Sequence, residues 1–321
     1  MTATGRDRVV VGVWDATASG AAVRWAAQEA ELRGADLHLL HAVPEAATGD
    51  VTYAWYAAAH LQQLERAGRA ALEELAAQVA ATRPQLPVTT ALERAPVRRA
   101  LVDAATHGAG AVLLVVGARR RRAAAALRLG STALHLAAHA PCPLAVVRAV
   151  PAGDARGVVV GHDGSPASAA AVRFAAQRAL AAGEALHLVR AHDTPARRLD
   201  GWSPQLYEEV RAADGAAHRR EVEEAAARLR EEHPGLEVHV HLAPDTDPAD
   251  ALTGVAARAA LLVVGARGHG AFVSALLGSA SHDVLHRASG PVVVVPDPDR
   301  VHHQRAARRA AHAGPSRDVN A

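Results

Sequence analysis

A glycine-rich segment late in the chain indicates phosphate-binding chemistry. Gly265-Ala266-Arg267-Gly268 is followed by nine residues and then by Gly278-Ser279. Backbone N–H groups at the start of a helix attract phosphate, and a glycine lets the phosphate approach the backbone closely. Ser279 and Ser281 add hydroxyl donors. The segment therefore predicts a phosphate site at the start of a helix.

The same half of the chain carries a carboxylate, Asp163. It closely follows the apolar run Val158–Gly161, which is typical of a buried parallel strand. Ligands of parallel sheets bind beyond the carboxyl ends of the strands, so we expect Asp163 beside the glycine segment, where it could hold Mg²⁺. The chain has no lysine, which excludes a Walker A loop and a Schiff-base enzyme. No clear base or second carboxylate accompanies Asp163, so we expect no catalytic residues there.

The two halves of the chain repeat one another. The matching segments are Val9–Gly12 with Val158–Gly161, Leu113–Arg119 with Leu261–Arg267, and Gly130-Ser131 with Gly278-Ser279. This spacing indicates duplication of a whole domain. We predict one domain over 1–150, a second over 151–297 and a flexible basic tail over 298–321. Turn-forming residues around 151–154 mark the boundary.

Short valine-rich and leucine-rich runs alternate with longer helical stretches in both halves. Strands are predicted at 8–13, 36–43, 88–92, 111–117 and 144–148, and again near 157–162, 185–191, 236–242, 260–265 and 291–295. Helices in the first half are predicted at 19–33, 57–82, 96–107 and 131–139. Strands that alternate with helices through right-handed crossovers form a doubly wound, Rossmann-like α/β fold.

The residues of the second half resemble a known family. Gly265 through Ser279, together with the strand end Val159-Val160-Gly161-His162-Asp163-Gly164-Ser165, is similar to the motif of the ATP-binding universal stress proteins. Leu285–Val295 resembles the last helix and strand of that family, and the resemblance covers 8–296. It implies two tandem five-stranded parallel sheets of order 3-2-1-4-5, with ATP and its Mg²⁺ as ligands. It implies that ATP is surrounded by Asp163, Ala191, Val264, Gly265, Gly268, Gly278, Ser279 and Ala280.

Two of these residues, Ala191 and Val264, would contact the base through their backbone or through apolar contact. The family's domains associate through their last strands. Here we expect Leu144–Val147 and Val292–Val295 to pair within one chain, as an intramolecular pseudo-dimer, with further homodimerisation open.

The first half departs from the motif. Trp14 stands where the second half has Asp163, and Arg120 stands where it has Gly268. One interpretation is a half that has decayed into a scaffold. The other is that Asp15 replaces the carboxylate by a shift of one residue and that Arg119–Arg122 binds phosphate by charge. We expect one strong ATP site, in the second half.

The remaining chemistry-bearing residues predict no metal site and no reactive thiol. His135 and His139 are spaced by one helical turn, but no Glu follows His135 as a zinc-protease motif would require. His239 and His241 alternate along a predicted strand. Cys142, the single cysteine, lies between two prolines without a partner motif.

Composition narrows the class of protein. The chain has 321 residues, a net charge of +2, one cysteine and no apolar run of membrane-spanning length, and its first residues are polar. These features predict a cytoplasmic protein with no membrane and no nucleic-acid partner. With the resemblance, they predict an ATP-binding regulator of the stress response with unidentified protein partners. A slow ATPase and a nucleotide-free structural adaptor are the alternatives.

Overall fold

The computed structural model describes residues 6–45, 51–106, 110–118, 129–150, 153–193, 203–268, 277–299 and 301, with only the backbone of 51–57. The first half contains β1 (Arg8–Val13), α1 (Ala16–Arg33), β2 (Asp36–Val43), α2 (Val51–Thr82), β3 (Val88–Arg94), α3 (Val97–Thr106), β4 (Ala111–Gly117), α4 (Ser131–His139) and β5 (Leu144–Val147). The second half contains β6 (Val158–Gly161), α5 (Pro166–Ala182), β7 (Leu186–His192), α6 (Pro204–Glu232), β8 (Val238–Pro244), α7 (Pro248–Val255), β9 (Leu261–Gly265), α8 (Ser279–Arg287) and β10 (Val292–Val295).

The strand order confirms the predicted fold class. Within each half the strands follow the order 3-2-1-4-5, and all pairs inside a half are parallel. The two last strands pair with each other, antiparallel, with Val292 opposite Val146 and Val294 opposite Leu144. The two five-stranded sheets therefore join into one ten-stranded sheet, and the predicted pairing within one chain is confirmed. This pairing covers the edge that each last strand would otherwise expose.

The sheet is buried on both faces, which explains its valine-rich strands. Val9 and Val11 point into one apolar layer, under α1, α2, α5 and α6, whereas Val10 points into the other, under α3, α4, α7 and α8. Within the described ranges, none of the helices combines the length and the apolar character that crossing a lipid bilayer requires.

Capping residues set the helix boundaries. Asp15 accepts a hydrogen bond from the backbone of Ala18, so α1 begins at Ala16, three residues earlier than predicted. Ser165 caps α5 in the same way, with Pro166 in the first helical position. Both helices end at a glycine in the left-handed region, Gly34 with φ 60° and Gly183 with φ 63°.

A buried ion-pair network joins the two halves. Arg178 of α5 donates from Nε to Oε1 of Glu29 of α1 at 3.0 Å, and their side chains are 3% and 1% exposed. Arg178 also contacts Glu184 at 3.1 Å, and Glu29 contacts Arg33 at 3.2 Å. The charges therefore neutralise one another where the two domains meet.

Candidate functional site

The second half has a crevice at the point where its strand order reverses. β6 and β9 are adjacent parallel strands, with Val160 opposite Val263, so their carboxyl ends reach the same edge of the sheet. The chain leaves β6 toward α5 on one face and leaves β9 toward α8 on the other. Open α/β sheets bind ligands at such a reversal point.

Asp163 is held in a tight turn directly beyond β6. Its Oδ1 accepts a hydrogen bond from the backbone N–H of Ser165 at 2.9 Å, across Gly164, whose φ of +82° favours glycine. The backbone N–H of Asp163 donates to Oγ of Ser168 at 3.4 Å. The first turn of α5 therefore fixes both the backbone and the carboxylate of Asp163.

Gly268 lies against this carboxylate. A Cβ added at Gly268 would collide with Oδ2 of Asp163, and Asp163 is the only described residue within 4 Å of that position. The structure thus brings together the two residues on which the sequence motif depends. Gly268 does not have a positive φ, so the close approach of Asp163 is what requires a glycine here.

The other two glycines of the motif shape the same edge. A Cβ at Gly265 would lie 2.8 Å from the carbonyl carbon of Ala167, so this glycine lets the end of β9 approach the start of α5. The N–H of Gly278 donates to the carbonyl of Ala266 at 2.8 Å, which brings the start of α8 back to the end of β9. Both glycines therefore have a packing role beside the crevice.

The N-terminus of α8 opens at this edge without a side-chain cap. Gly278 is the N-cap residue, with φ −67° and ψ 151°, and among the described residues no side chain accepts from the first turn. The N–H groups of Ser279 and Ala280 have no partner within the helix. Ser279 is exposed and Ala280 is half-buried. This terminus therefore offers N–H donors and the positive end of a helix dipole to an anion.

The prediction that the hydroxyl of Ser281 donates to a phosphate is wrong. Ser281 is buried, and its hydroxyl donates to the carbonyl of Gly265 at 2.6 Å. It ties α8 to β9 and is not directed at the crevice. A serine in the first turn of a helix can bond the backbone of a neighbouring strand, which the sequence spacing does not reveal.

Ala191 and Val264 lie on the strands that flank the crevice. Val264 is 4% exposed and packs in the apolar layer under α7 and α8, so only its backbone can face a ligand. Ala191 is half-buried near the end of β7, opposite Ala243 of β8. These positions fit the predicted backbone or apolar contacts.

Positive and neutral groups surround the turn. Arg190 of β7 donates from Nη1 to the carbonyl of His162 at 3.3 Å. Burial is the largest cause that lowers the pKa of His162, so its ring is neutral at pH 7. Nε of Arg267, within the motif itself, is buried and has no hydrogen-bond partner among the described residues. The charge of Arg190 is paired with Glu221 at 3.2 Å, so Arg267 is the arginine that could meet an anion near this edge.

The family comparison agrees with this fold. The model of the universal stress protein family matches residues 5–148 and, again, residues 155–296. The chain belongs to the universal stress protein family. A universal stress protein of Mycolicibacterium smegmatis is 34% identical over 301 residues, which are 89% of this chain and 96% of that protein. Universal stress protein Rv2623 of Mycobacterium tuberculosis is 32% identical over 302 residues, 89% and 95% of the two chains.

Solved structures show the same fold. The crystal structure of a universal stress protein from Archaeoglobus fulgidus superimposes with a TM-score of 0.65 at 18% identity, over 92% of this chain and 98% of that one. A functionally unknown protein, PA1789 from Pseudomonas aeruginosa, gives 0.66 at 18% identity, over 96% and 98%. At this identity the likeness shows the fold alone.

The first universal stress domain lacks the carboxylate at the equivalent place. The N–H of Trp14 donates to Oγ of Ser19 at 2.9 Å, as Asp163 does to Ser168, so Trp14 and Asp163 are equivalent. Trp14 is 60% exposed. Asp15 is the N-cap of α1, with Oδ1 2.6 Å from the backbone nitrogen of Ala18, so its carboxylate already caps a helix in this structure.

The rest of the first motif is only partly described. Gly130 caps α4 with φ −67° and ψ 148°, again without a side-chain cap, which repeats the geometry at Gly278. Arg119–Arg122, including Arg120, lies outside the described residues. This universal stress domain therefore keeps the helix N-terminus and has lost the carboxylate.

The sequence analysis missed a cluster of ligand-type side chains in the second domain. His192 ends β7, and its Nδ1 lies 3.2 Å from Oδ2 of Asp214 on α6. Nε2 of His218, also on α6, lies 3.7 Å from Oδ1 of Asp214. The spacing of Asp214 and His218 by one helical turn was a visible signal. Their approach to His192 depends on the packing of a long helix, which the sequence did not indicate.

Proposed function

We propose that this universal stress protein is a cytoplasmic ATP-binding regulator with one nucleotide site, in its second domain. The observation that carries the proposal is the contact of Gly268 with Asp163 beside the uncapped start of α8. A carboxylate and a row of free N–H groups at one crevice suit a ligand with both hydroxyls and phosphates. ATP has both.

Each part of ATP has a matching group in the crevice. The triphosphate fits the N–H donors of Ser279 and Ala280 in the first turn of α8, which a helix dipole reinforces. Asp163 is an acceptor suited to the hydroxyls of a ribose. The adenine would lie against the backbone near Ala191 and Val264. Mg²⁺ prefers oxygen ligands and accompanies phosphates, so the carboxylate and the triphosphate fit it together.

Regulation is favoured over catalysis by the composition of the crevice. Phosphoryl transfer needs positioned cations and a residue that orients the attacking water. The chain has no lysine, and His162, which precedes Asp163, is half-buried with its Nδ1 enclosed. Bound ATP would therefore persist and bias the shape or partners of the protein, with at most slow turnover.

The test uses the full chain. Mass spectrometry of the ligand released from purified protein should identify ATP, and equilibrium dialysis should give a stoichiometry near one. Asp163→Ala should weaken ATP binding at least about tenfold, roughly 1.4 kcal/mol, because the carboxylate is lost from the crevice. In the first domain, Asp15 is the carboxylate nearest to the place equivalent to Asp163. Asp15→Ala removes it and should leave ATP affinity unchanged.

The alternatives give different results. Absence of retained nucleotide and of ATP binding would contradict the proposal and favour a structural adaptor. Steady phosphate release at saturating ATP, abolished by Asp163→Ala, would favour an ATPase. If Asp15→Ala weakened ATP binding as much as Asp163→Ala does, the assignment of the nucleotide site to the second domain alone would be contradicted.

A further inference from the structure

Three side chains of metal-ligand type converge at the end of β7. His192 is the last residue of that strand, with a side chain that is 4% exposed. Asp214 and His218 lie one turn apart on α6 and are partly buried. Each can direct one ligand atom to a common point, and these three atoms lie within 4.8 Å of one another.

The distances suit a small divalent ion. Zinc lies about 2.0–2.1 Å from nitrogen and oxygen ligands, so tetrahedral neighbours are roughly 3.3 Å apart. Nδ1 of His192 lies 3.2 Å from Oδ2 of Asp214, and Nε2 of His218 lies 3.7 Å from Oδ1 of the same carboxylate. Metal binding would draw one ligand atom from each residue together, starting from atoms that lie within 4.8 Å of one another. Two imidazoles and one carboxylate favour zinc and similar transition metals over Mg²⁺ or Ca²⁺.

The charges of the cluster fit a ligand set. Asp214 supplies the negative charge between the two rings, whose centroids are 4.4 Å apart.

A second layer of contacts holds His218. Nη2 of Arg190 donates to Nδ1 of His218 at 3.1 Å and to Oε2 of Glu221 at 3.2 Å, so Glu221 compensates the arginine charge. Metal binding at Nε2 would require Arg190 to give up its bond to Nδ1, and the ring proton would then lie on Nδ1, 3.7 Å from Oε2 of Glu221. The backbone of His192 is also fixed, because its carbonyl accepts from the N–H of Asp245 at 2.7 Å.

The first domain shows that the fold does not require these residues. Val43 is the last paired residue of β2 and lies opposite Arg94 of β3. His192 is likewise the last paired residue of β7 and lies opposite Pro244 of β8. α2 ends at Thr82 and α6 at Glu232, and counting back from these ends places Leu64 and Gly68 at the positions of Asp214 and His218. The same places therefore hold Val43, Leu64 and Gly68, none of which can bind a metal.

We propose that His192, Asp214 and His218 bind one divalent transition-metal ion of the zinc class, with a water as the fourth ligand. The site uses side chains other than those proposed for ATP. It would fasten α6 to the end of β7, one residue beyond Ala191.

The test uses the full chain after removal of metals with a chelator. Co²⁺ should give the visible absorption of a four-coordinate site at one ion per chain, Zn²⁺ should displace it and Mg²⁺ should not. Asp214→Asn and His218→Gln should each weaken Zn²⁺ binding at least about tenfold, by loss of a ligand. The matched control is His135→Gln with His139→Gln, which removes a half-buried histidine pair of α4 whose rings stack at 4.2 Å. It should leave binding unchanged.

A second readout guards against misfolding. Zn²⁺ should raise the melting temperature of the unaltered chain and of the control, and not that of the two cluster variants. The helix already accepts a glycine at the place of His218 in the first domain, so His218→Gln should fold even if Asp214→Asn does not. Absence of a Co²⁺ or Zn²⁺ site in the unaltered chain would overturn the proposal. So would binding that survives both cluster variants, or binding lost in the control.

Discussion

The contact between Gly268 and Asp163 gives a sharp test of the nucleotide site. Gly268→Ala places a methyl group on Oδ2 of Asp163, closer than the 3.0 Å that real Cβ atoms keep. Oδ2 is the far end of a side chain, so the carboxylate turns away from the added methyl group and moves from its place in the crevice. The substitution therefore acts on ATP through Asp163.

The magnitude follows from the group that is displaced. A hydrogen bond to a charged group contributes about 1.5–3 kcal/mol. At about 1.4 kcal/mol for each factor of ten, losing one such bond to the ribose weakens ATP binding roughly 10- to 150-fold. Asp163→Ala should cost a similar amount. In the Asp163→Ala background, Gly268→Ala should cost little, because no other described residue lies within 4 Å of the added carbon.

The unaltered chain, the two single variants and the double variant form a double-mutant cycle. Calorimetric titration of ATP into these four full-length proteins measures the cycle, and circular dichroism checks their folding. The matched control is Gly254→Ala in α7, where an added Cβ meets nothing within 4 Å, and its ATP affinity should not change. If the two substitutions simply add, Gly268 acts on the phosphates directly and the reasoning from Asp163 is refuted. If Gly268→Ala has no effect in either background, the crevice is not the ATP site.

Three further predictions concern the rest of the chain. Trp14→Asp should not create a second ATP site, because Arg120 still stands at the position equivalent to Gly268. Dialysis should therefore still give about one bound ATP per chain, and two bound ATP would contradict the prediction. Arg178→Ala leaves the buried Glu29 with Arg33 as its cation and removes the contact to Glu184, which should lower the free energy of unfolding by up to about 3 kcal/mol, and urea unfolding with an unchanged midpoint would refute it. Burial lowers the pKa of His187, so the unfolded state binds more protons below about pH 6.5. Stability should therefore fall as the pH drops from 7.5 to 5.5, less steeply in His187→Gln; denaturant midpoints that stay level would contradict this.

The strand order could be predicted because the repeat and the strand–helix alternation leave few topologies open. The bounds of β2, β4 and α4 were predicted to the residue. Other bounds depend on local caps and pairing. α1 starts early because Asp15 caps it, and β3 continues to Arg94 because it stays paired with β2 as far as Val43.

The candidate site was predictable where the motif is local. Asp163 and Gly268 were expected at one edge, and the strands place them there. The role of Ser281 was not predictable, since its hydroxyl reaches a carbonyl sixteen residues away in the chain. The approach of His218 to His192 depends on how α6 lies across β7. Neither contact leaves a periodic signal in the sequence.

Some equivalent positions carry different residues in the two domains, which is possible only because the domains are not identical copies. Gln28 and Gln177 are equivalent, so the next positions, Glu29 and Arg178, are equivalent as well. They meet across the junction at 3.0 Å. Two copies of the first domain joined in the same way would place the buried carboxylate of Glu29 against a second Glu29, and two copies of the second would place Arg178 against Arg178. One covalent chain can hold opposite charges at these positions. This favours pairing of the two domains within a chain over pairing of a domain with its own counterpart in a second chain. The same freedom lets Trp14 replace a carboxylate that Asp163 keeps.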